Sequence, residues 1–277
     1  MIFMFWGLFC GISAVLSVLW CVSEGDWLWR LPVGFVGLFL AQCVLLFAFV
    51  WVLTLFIDLE KEQEQDSKFH RRLAKELIWF LIPILGVRIH TKGLENTPKE
   101  GRFLLVCNHL FDFDPPLLLH CFPDSQLAFI SKRENSTMFL VGKFMHKLLT
   151  QLINRENDRE ALKTILKCIQ IIKDDKASIA VFPEGYTSRD HKFHGFRAGV
   201  FKIAQKAQVP IVVCTITNTH KVLPNLFKLK RTDVDLHLVA VIRPEEFADQ
   251  TTVALGNRIH DLMAEDLGPE YAPDEQL

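Results

Sequence analysis

The stretch FLLVCNHLFDFDPP, residues 103–116, runs from an uninterrupted apolar segment into a turn rich in polar side chains. Its first part, Phe103 to Cys107, predicts a strand buried on both faces, as in a sheet with helices on both sides. The pattern recurs in IAVFPEGYTSR at residues 179–189, and Ile211 to Ile216 forms another continuous apolar run. Helices are predicted between these strands. The sequence therefore indicates an α/β domain whose central sheet is mostly parallel or mixed and is flanked by helices.

The remaining predicted elements continue this alternation of strand and helix. Asn157 followed by Glu160 resembles a capping box, and apolar residues from Ala161 to Ile172 share one helical face. Further strands are predicted at Val87 to His90, Leu127 to Ser131 and Val234 to Ile242, and further helices at Thr137 to Thr150, Gly199 to Ala207 and Thr251 to Leu267. We therefore place the main domain at residues 87–245, followed by a C-terminal helix and an acidic tail at residues 246–277.

Charge is nearly absent from the N-terminal 57 residues, whose only charged side chains are Glu24, Asp26 and Arg30. Met1 to Val22 and Val33 to Ile57 are each long enough to cross a hydrocarbon core of about 30 Å as a helix. The sequence thus predicts two transmembrane helices, at about residues 1–22 and 33–57, joined as a hairpin.

Basic residues are distributed unevenly around these two segments. The short loop between them contains Arg30, whereas the twenty residues after the second segment contain five basic residues: Lys61, Lys68, Arg71, Arg72 and Lys75. The positive-inside rule then places the N-terminus and everything after Asp58 in the cytosol. We expect an integral membrane protein whose main domain lies on the cytosolic face, with free thiols because that compartment is reducing.

Residues 58–86 are predicted to form a charged and amphipathic helical connector. Its apolar part, Leu77 to Gly86, is too short to span a bilayer. Two arrangements are compatible with this composition: a helix that lies against the membrane surface, or a linker helix that packs on the main domain.

The polar turn after the first strand contains His109, Asp112 and Asp114. Strand ends are where α/β domains keep their functional sites. A neutral histidine accepts a proton from a hydroxyl, and a carboxylate on its other ring nitrogen fixes the tautomer and stabilises the imidazolium. Either aspartate could reach the ring, and all three residues could instead serve as caps and turn residues before Pro115.

The turn after the second strand places Glu184 and Gly185 before hydroxyl side chains and Arg189. A carboxylate, a flexible glycine, hydroxyls and a guanidinium suit recognition of a polar or phosphorylated ligand. Taken alone, the same residues are also compatible with a plain turn.

Together, N-H-x-x-x-x-D and F-P-E-G, about seventy residues apart, closely resemble motifs of the phospholipid/glycerol acyltransferase family, which includes 1-acylglycerol-3-phosphate acyltransferases. The resemblance covers roughly residues 87–220. It includes four blocks: His109 to Asp114, Leu152 to Arg155, Phe182 to Gly185, and Val209 to Val212. Before the fourth block, the stretch Phe196 to Phe201 is similar to the family's F-K-x-G-x-F. The first and third blocks are specific at this spacing, and the second and fourth are weak alone.

The resemblance implies transfer of a fatty acyl group from acyl-CoA or acyl carrier protein to the sn-2 hydroxyl of 1-acylglycerol 3-phosphate, in phospholipid biosynthesis. It assigns His109 as the base and Asp114 as its partner. By the same resemblance the substrate is bound by Asn108, Glu184, Gly185 and, at the acceptor phosphate, Arg155. No metal or bound cofactor is implied, and Cys107 is expected to pack in its strand rather than to act as a nucleophile.

Two departures from the family's pattern bear on acceptor recognition. Phe111 stands where the family often has serine, and Tyr186-Thr187-Ser188 stands where it often has Thr-Arg-Ser. Arg189 arrives two positions late, so it either reaches the same phosphate from a shifted turn or remains a solvated loop residue. Lys132 and Arg133 are candidates for binding phosphate or coenzyme A, or else form a solvated basic turn.

The sequence allows some alternative functions and disfavours others. An acyltransferase of the same fold could use glycerol 3-phosphate, another lysophospholipid or an aminoacyl lipid, and an inactive membrane-anchored lipid-binding protein is an alternative of another class. A serine or cysteine hydrolase is disfavoured because no G-x-S-x-G occurs, and nucleic-acid binding because the net charge is −1. Residues 58–260 nevertheless carry 30 basic and 24 acidic residues, an excess that favours a surface facing anionic membrane lipids.

Overall fold

The computed structural model describes Gly7, residues 10–19 and residues 27–273. These residues belong to two compact units, Met1–Glu62 and Gln63–Leu277, which are described one at a time.

The first unit contains two apolar helices, α1 (Cys10–Leu19) and α2 (Trp27–Leu55). Within α2, the 24 residues Pro32–Leu55 are long and apolar enough to cross a membrane, and most of their side chains are exposed. The Cys10 thiol donates to Gln42 Oε1 over 3.0 Å, which joins the two helices. The predicted first span, about residues 1–22, lies partly outside the described residues. A single helix of this kind also occurs in soluble proteins and signal sequences, so the hairpin, the insertion and the orientation stay predictions.

The second unit is built on a sheet of seven strands in the order β1-β7-β6-β2-β5-β3-β4. The strands are β1 (Val87–Lys92), β2 (Leu104–Cys107), β3 (Leu127–Lys132), β4 (Gln151–Ile153), β5 (Ser178–Val181), β6 (Ile211–Ile216) and β7 (Thr232–Ile242). All neighbouring pairs run parallel except β6 and β7, which are antiparallel. The predicted mixed sheet is therefore confirmed.

Helices cover both faces of this sheet. They are α3 (Lys68–Ile84), α4 (Asp114–Cys121), α5 (Val141–Lys147), α6 (Asp158–Lys173), α7 (Lys202–Ala207), α8 (Val222–Phe227) and α9 (Thr252–Leu267). Side chains alternate along β2, so that Leu104 and Val106 pack with α6, α7 and α9, whereas Leu105 and Cys107 pack with α3 and α4. This alternation explains why the central strands are continuously apolar.

The connector helix of the sequence prediction corresponds to α3. Its residues Leu73, Ala74, Ile78 and Ile82 are buried, and Arg71 forms a buried ion pair with Asp66 at 2.7 Å. The structure thus favours the packed linker helix over a helix that only lies on a membrane.

Two element predictions differ from the structure between residues 133 and 153. The predicted helix Thr137 to Thr150 is shortened to α5, which follows a 3₁₀ turn at Arg133–Thr137. The short edge strand β4 was not predicted, because three residues carry too little alternation to be distinguished from a loop. By contrast, α6 begins where expected, with the Asn157 side chain accepting from the backbone N–H groups of Arg159 and Glu160.

Candidate active site

The candidate site lies where three adjacent strands end. The order β6-β2-β5 places the carboxyl ends of these parallel strands side by side at one edge of the sheet. His109 follows β2, Glu184 follows β5 and His220 follows β6. The two motifs, distant in sequence, therefore meet at this edge.

His109 and Asp114 form a hydrogen-bonded pair. His109 Nδ1 lies 2.9 Å from Asp114 Oδ2, and the same oxygen accepts the backbone N–H groups of Leu110 and Phe111 at 2.8 and 2.9 Å. Asp114 is fully buried at the start of α4, where Pro115 and Pro116 occupy the first turn. Because a carboxylate only accepts, we assign the tautomer in which Nδ1 donates to Asp114 and Nε2 is the acceptor. The structure thus places Asp114, rather than Asp112, on the ring.

Nε2 of His109 faces a hydroxyl group. Thr187 Oγ1 lies 3.0 Å from this nitrogen and 3.0 Å from Asp112 Oδ1. Because Thr187 has a single hydroxyl proton, it can donate to only one of these acceptors at a time. The imidazole is stacked on Phe182, with ring centroids 4.2 Å apart, and 14% of the His109 side chain is exposed. The geometry shows that a hydroxyl fits at the proton-accepting nitrogen; the sequence did not single out Thr187 for this position.

The Glu184 carboxylate hydrogen-bonds to two loops, the one that begins at His109 and the one that contains His194. Its Oε1 accepts the backbone N–H of His109 and its Oε2 accepts that of His194, both at 3.0 Å. Burial raises the pKa of this carboxyl to about 7, against the opposing effect of the two backbone N–H donors and the nearby histidines. Both oxygens are engaged by the protein, so the structure gives Glu184 a positioning role, and its predicted contact with substrate stays a prediction.

Asn108 and Cys107 are buried beneath the strand edge that carries His109. The Asn108 side chain accepts from the backbone N–H of Ile216 at 2.7 Å and donates to its carbonyl at 2.8 Å, which joins the ends of β2 and β6. Asn108 is fully buried, and its predicted part in substrate binding stays a prediction. Burial also raises the pKa of the Cys107 thiol well above its usual range, in agreement with a packing role.

An open cleft of about 300 Å³ lies beside Gly185, at the end of β5. Its apolar walls come from β3, β4, β5 and α6, and its charged lining consists of Arg155, Asp158, Arg197 and Lys202. Arg155 is half-buried, and desolvation together with the Arg197 charge lowers the pKa of its guanidinium. The excess of cations in a partly apolar cleft suits an anionic ligand with a hydrocarbon portion.

The other predicted basic residues lie elsewhere. Arg189 and Lys132 are exposed, and neither lines this cleft. Arg133 is also exposed, with its guanidinium 3.9 Å from Glu160. Roles for Arg189 and Lys132 in ligand binding stay predictions. Arg197 provides the second guanidinium at the cleft. In the sequence analysis it was only part of the stretch Phe196 to Phe201.

Gly185 is constrained by its backbone and by Arg197. Its φ of +86° is unfavourable for residues with a side chain, and an added Cβ would lie 3.0 Å from Arg197 Cδ and Nε. We expect Gly185→Ala to lower the free energy of unfolding by about 1–3 kcal/mol, measured as a lower melting temperature in detergent. The matched control is Gly195→Ala, since a Cβ there meets nothing within 4 Å. Equal stability of the two variants would contradict this expectation.

Metal ligands do not converge at this edge: within residues 7, 10–19 and 27–273, no three His, Cys, Asp or Glu side chains are placed to hold a metal ion.

Comparison with known proteins finds a family model that matches part of this chain. The sequence model described as Acyltransferase matches residues 88–217. A protein of Chlamydomonas reinhardtii named 1-acyl-sn-glycerol-3-phosphate acyltransferase is 30% identical over 217 residues, which cover 75% of this chain and 64% of the relative. The 1-acyl-sn-glycerol-3-phosphate acyltransferase of Saccharomyces cerevisiae is 27% identical over 188 residues, covering 66% of this chain and 61% of the relative.

A solved structure shares the fold. The crystal structure of the 1-acyl-sn-glycerophosphate (LPA) acyltransferase PlsC from Thermotoga maritima superimposes with a TM-score of 0.63 and 21% identity, covering 96% of this chain and 100% of that one. Identity at this level shows the fold alone. The chain spans between 43% and 64% of the length of three of the curated relatives that it matches.

Proposed function

We propose that this chain is a membrane-bound O-acyltransferase, which the match of the Acyltransferase family model to residues 88–217 supports. The proposed reaction moves a fatty acyl group from acyl-CoA or acyl carrier protein to the sn-2 hydroxyl of 1-acylglycerol 3-phosphate, giving phosphatidic acid. The names of the relatives support this acceptor. The observation that carries the proposal is the His109–Asp114 pair, because the other ring nitrogen, Nε2, lies 3.0 Å from the Thr187 hydroxyl.

The geometry supports a direct transfer without an acyl-enzyme. The acceptor hydroxyl takes the place of the Thr187 hydroxyl and gives its proton to His109 Nε2, while its oxygen attacks the thioester carbonyl. The carbon–sulfur bond then breaks, and the imidazolium returns the proton to the leaving thiolate. Asp114 stabilises the positive charge that His109 carries between these steps.

The acceptor phosphate is proposed to bind at the cleft beside Gly185, between Arg155 and Arg197. Desolvation and the Arg197 charge lower the pKa of the Arg155 guanidinium, and a bound phosphate anion would offset both effects. The apolar walls formed by Ile130, Ile153 and Leu162 suit the acyl chains of the substrates.

We expect Arg155→Ala to raise the KM for 1-acylglycerol 3-phosphate about 10- to 100-fold, because a charge-assisted contact to phosphate contributes roughly 1.5–3 kcal/mol. The measurement is turnover in detergent with acyl-CoA and with acyl carrier protein. Arg159→Ala is the control, since Arg159 is exposed and lies outside the cleft. An unchanged KM would refute the phosphate contact, and a product formed only from an acceptor without phosphate would refute this acceptor.

Attachment to a membrane, with the catalytic domain on the cytosolic face, is part of the same proposal. The 24 apolar residues Pro32–Leu55 support it, as does the basic excess of residues 58–260. Both the acceptor and the product carry long acyl chains, so an anchored enzyme meets them where they reside. The same assay separates this proposal from an inactive lipid-binding protein, which would give no product with any donor.

A further inference from the structure

Among the described residues 63–273, the segment between β6 and β7 presents the most exposed large apolar side chains. This β6–β7 segment, residues 219–231 (THKVLPNLFKLKR), contains α8 and the turn that follows it. Phe227 is 84% exposed and Leu229 is 95% exposed, and Leu223 is also exposed. Exposed apolar side chains that are grouped in this way, next to polar residues, are typical of protein or membrane interaction sites.

The outward position of Leu229 is built into the turn. Asn225 accepts the backbone N–H groups of Lys228 and Lys230 at 3.0 and 2.8 Å, and Leu229 N–H donates to Leu226 at 3.0 Å. The Asn225 side chain donates to Thr232 at the start of β7 at 3.0 Å. These bonds hold Leu229 at a φ of +54°, a conformation that leucine adopts rarely. The exposed apolar pair therefore belongs to an ordered turn.

Basic side chains alternate with the apolar ones. Lys228, Lys230 and Arg231 are exposed, and the segment contains no acidic residue. In the described part of the chain, none of the three lies within ion-pairing distance of a carboxylate; the nearby Asp233 pairs with Arg88 and His90. Unpaired cations around projecting apolar groups match a surface that carries anionic head groups above hydrocarbon.

The β6–β7 segment lies at the same edge of the sheet as His109. It leaves the carboxyl end of β6, and the His220 ring within it stacks on His191 with centroids 4.2 Å apart. At its other end, Thr232 N–H donates to the carbonyl of Gly86, two residues after the end of α3, over 2.9 Å. Ile84, at the end of α3, is exposed here as well. Apolar groups from two elements thus border the catalytic edge.

We propose that the β6–β7 segment is a membrane-docking surface, which inserts Phe227 and Leu229 into an anionic bilayer while Lys228, Lys230 and Arg231 bind lipid phosphates. The apolar groups project from a convex turn, which suits a deformable lipid surface better than a protein groove. Docking would present the open edge of the sheet to the membrane. The docking itself does not depend on the proposed acyl transfer, and its test is independent of activity.

The test is hydrogen exchange of residues 222–231 in the full chain, held in nanodiscs of phosphatidylcholine alone or mixed with phosphatidylglycerol. We expect exchange at least about tenfold slower in the anionic nanodiscs, since each basic residue near an anionic surface strengthens binding several-fold. A triple variant without the basic side chains should exchange equally fast in both kinds of nanodisc; its substitutions are Lys228→Gln, Lys230→Gln and Arg231→Gln. A double variant without the apolar side chains, Phe227→Ser with Leu229→Ser, should lose the slowing of hydrogen exchange in both kinds of nanodisc.

Matched controls are Val253→Ser, at an exposed apolar position on α9, and Lys163→Gln with Lys173→Gln on α6. Both should behave as wild type. All substituted side chains are exposed, so the melting temperature in detergent should stay unchanged and verifies the fold. Wild-type exchange that is equal in both nanodiscs and in detergent overturns the proposal. So does protection that survives both sets of substitutions, because a second copy or the N-terminal helices would then cover the segment.

Discussion

Replacing His109 with alanine is expected to lower kcat/KM by roughly 10²–10⁴-fold, because general-base catalysis contributes about that much to such reactions. Its Nε2 is the unprotonated nitrogen that faces a hydroxyl position, and its Nδ1 is engaged by Asp114. No other histidine within the described residues bonds to Asp114 through its ring. The measurement is acyl transfer to 1-acylglycerol 3-phosphate in detergent, with wild type and variant at equal concentrations.

The control for this experiment is His90→Ala, at an exposed histidine on β1 that pairs with Asp233. It should keep wild-type activity, and both variants should keep the wild-type melting temperature to within a few degrees. Near-normal activity of His109→Ala would exclude this histidine as the base.

Replacing Glu184 with alanine is expected to lower the free energy of unfolding by about 2–4 kcal/mol at pH 5, because two buried backbone N–H groups then lose their acceptor. These are the N–H groups of His109 and His194, so the variant should also lose activity through displacement of the base. Melting temperatures between pH 5 and pH 8 give the measurement. Glu265→Ala, at an exposed glutamate of α9, is the matched control.

The sign of the pH dependence follows from the raised pKa of Glu184. The pKa of this carboxyl is about 7 in the folded protein and 4.5 as an ordinary glutamate, so folding favours its protonated form. The stabilising contribution is fully present below about pH 4.5 and is lost as the pH rises through about 7, a change of about 3 kcal/mol. The stability difference between wild type and Glu184→Ala should therefore shrink toward pH 8. A difference that grows with pH would contradict the raised pKa.

Much of the fold followed from apolar runs. The central strands β2, β5 and β6 were predicted because both of their faces are buried and few polar residues interrupt them. The edge strand β4 and the shortened helix α5 were not, because short elements depend on neighbours that are distant in sequence. Whether the connector helix packs on the main domain also depended on tertiary contacts, which bury one face of α3 against the sheet.

Some residues of the candidate site were predicted from the sequence, and others were found only in the structure. The residue types and spacing of His109, Asp114 and Glu184 were visible in the sequence. Spacing alone left open which aspartate holds the ring, and the family resemblance favoured Asp114. In the structure, Asp114 at the start of α4 lies 2.9 Å from Nδ1 of His109. Thr187 at Nε2 and Arg197 at the cleft were not predicted as site residues, since each depends on where a loop folds back.

By itself, the sequence determined the α/β fold of the main domain, the two strand ends that carry chemistry and the apolar character of the N-terminus. These features depend on local composition and on periodicities of two or 3.6 residues, which neighbouring residues encode. Only the tertiary structure decided the contacts between loops: the two backbone groups held by Glu184, the hydroxyl at His109 and the paired guanidiniums beside Gly185. Such contacts join residues up to 78 positions apart, and their geometry is set by strand order and by the packing beneath the loops.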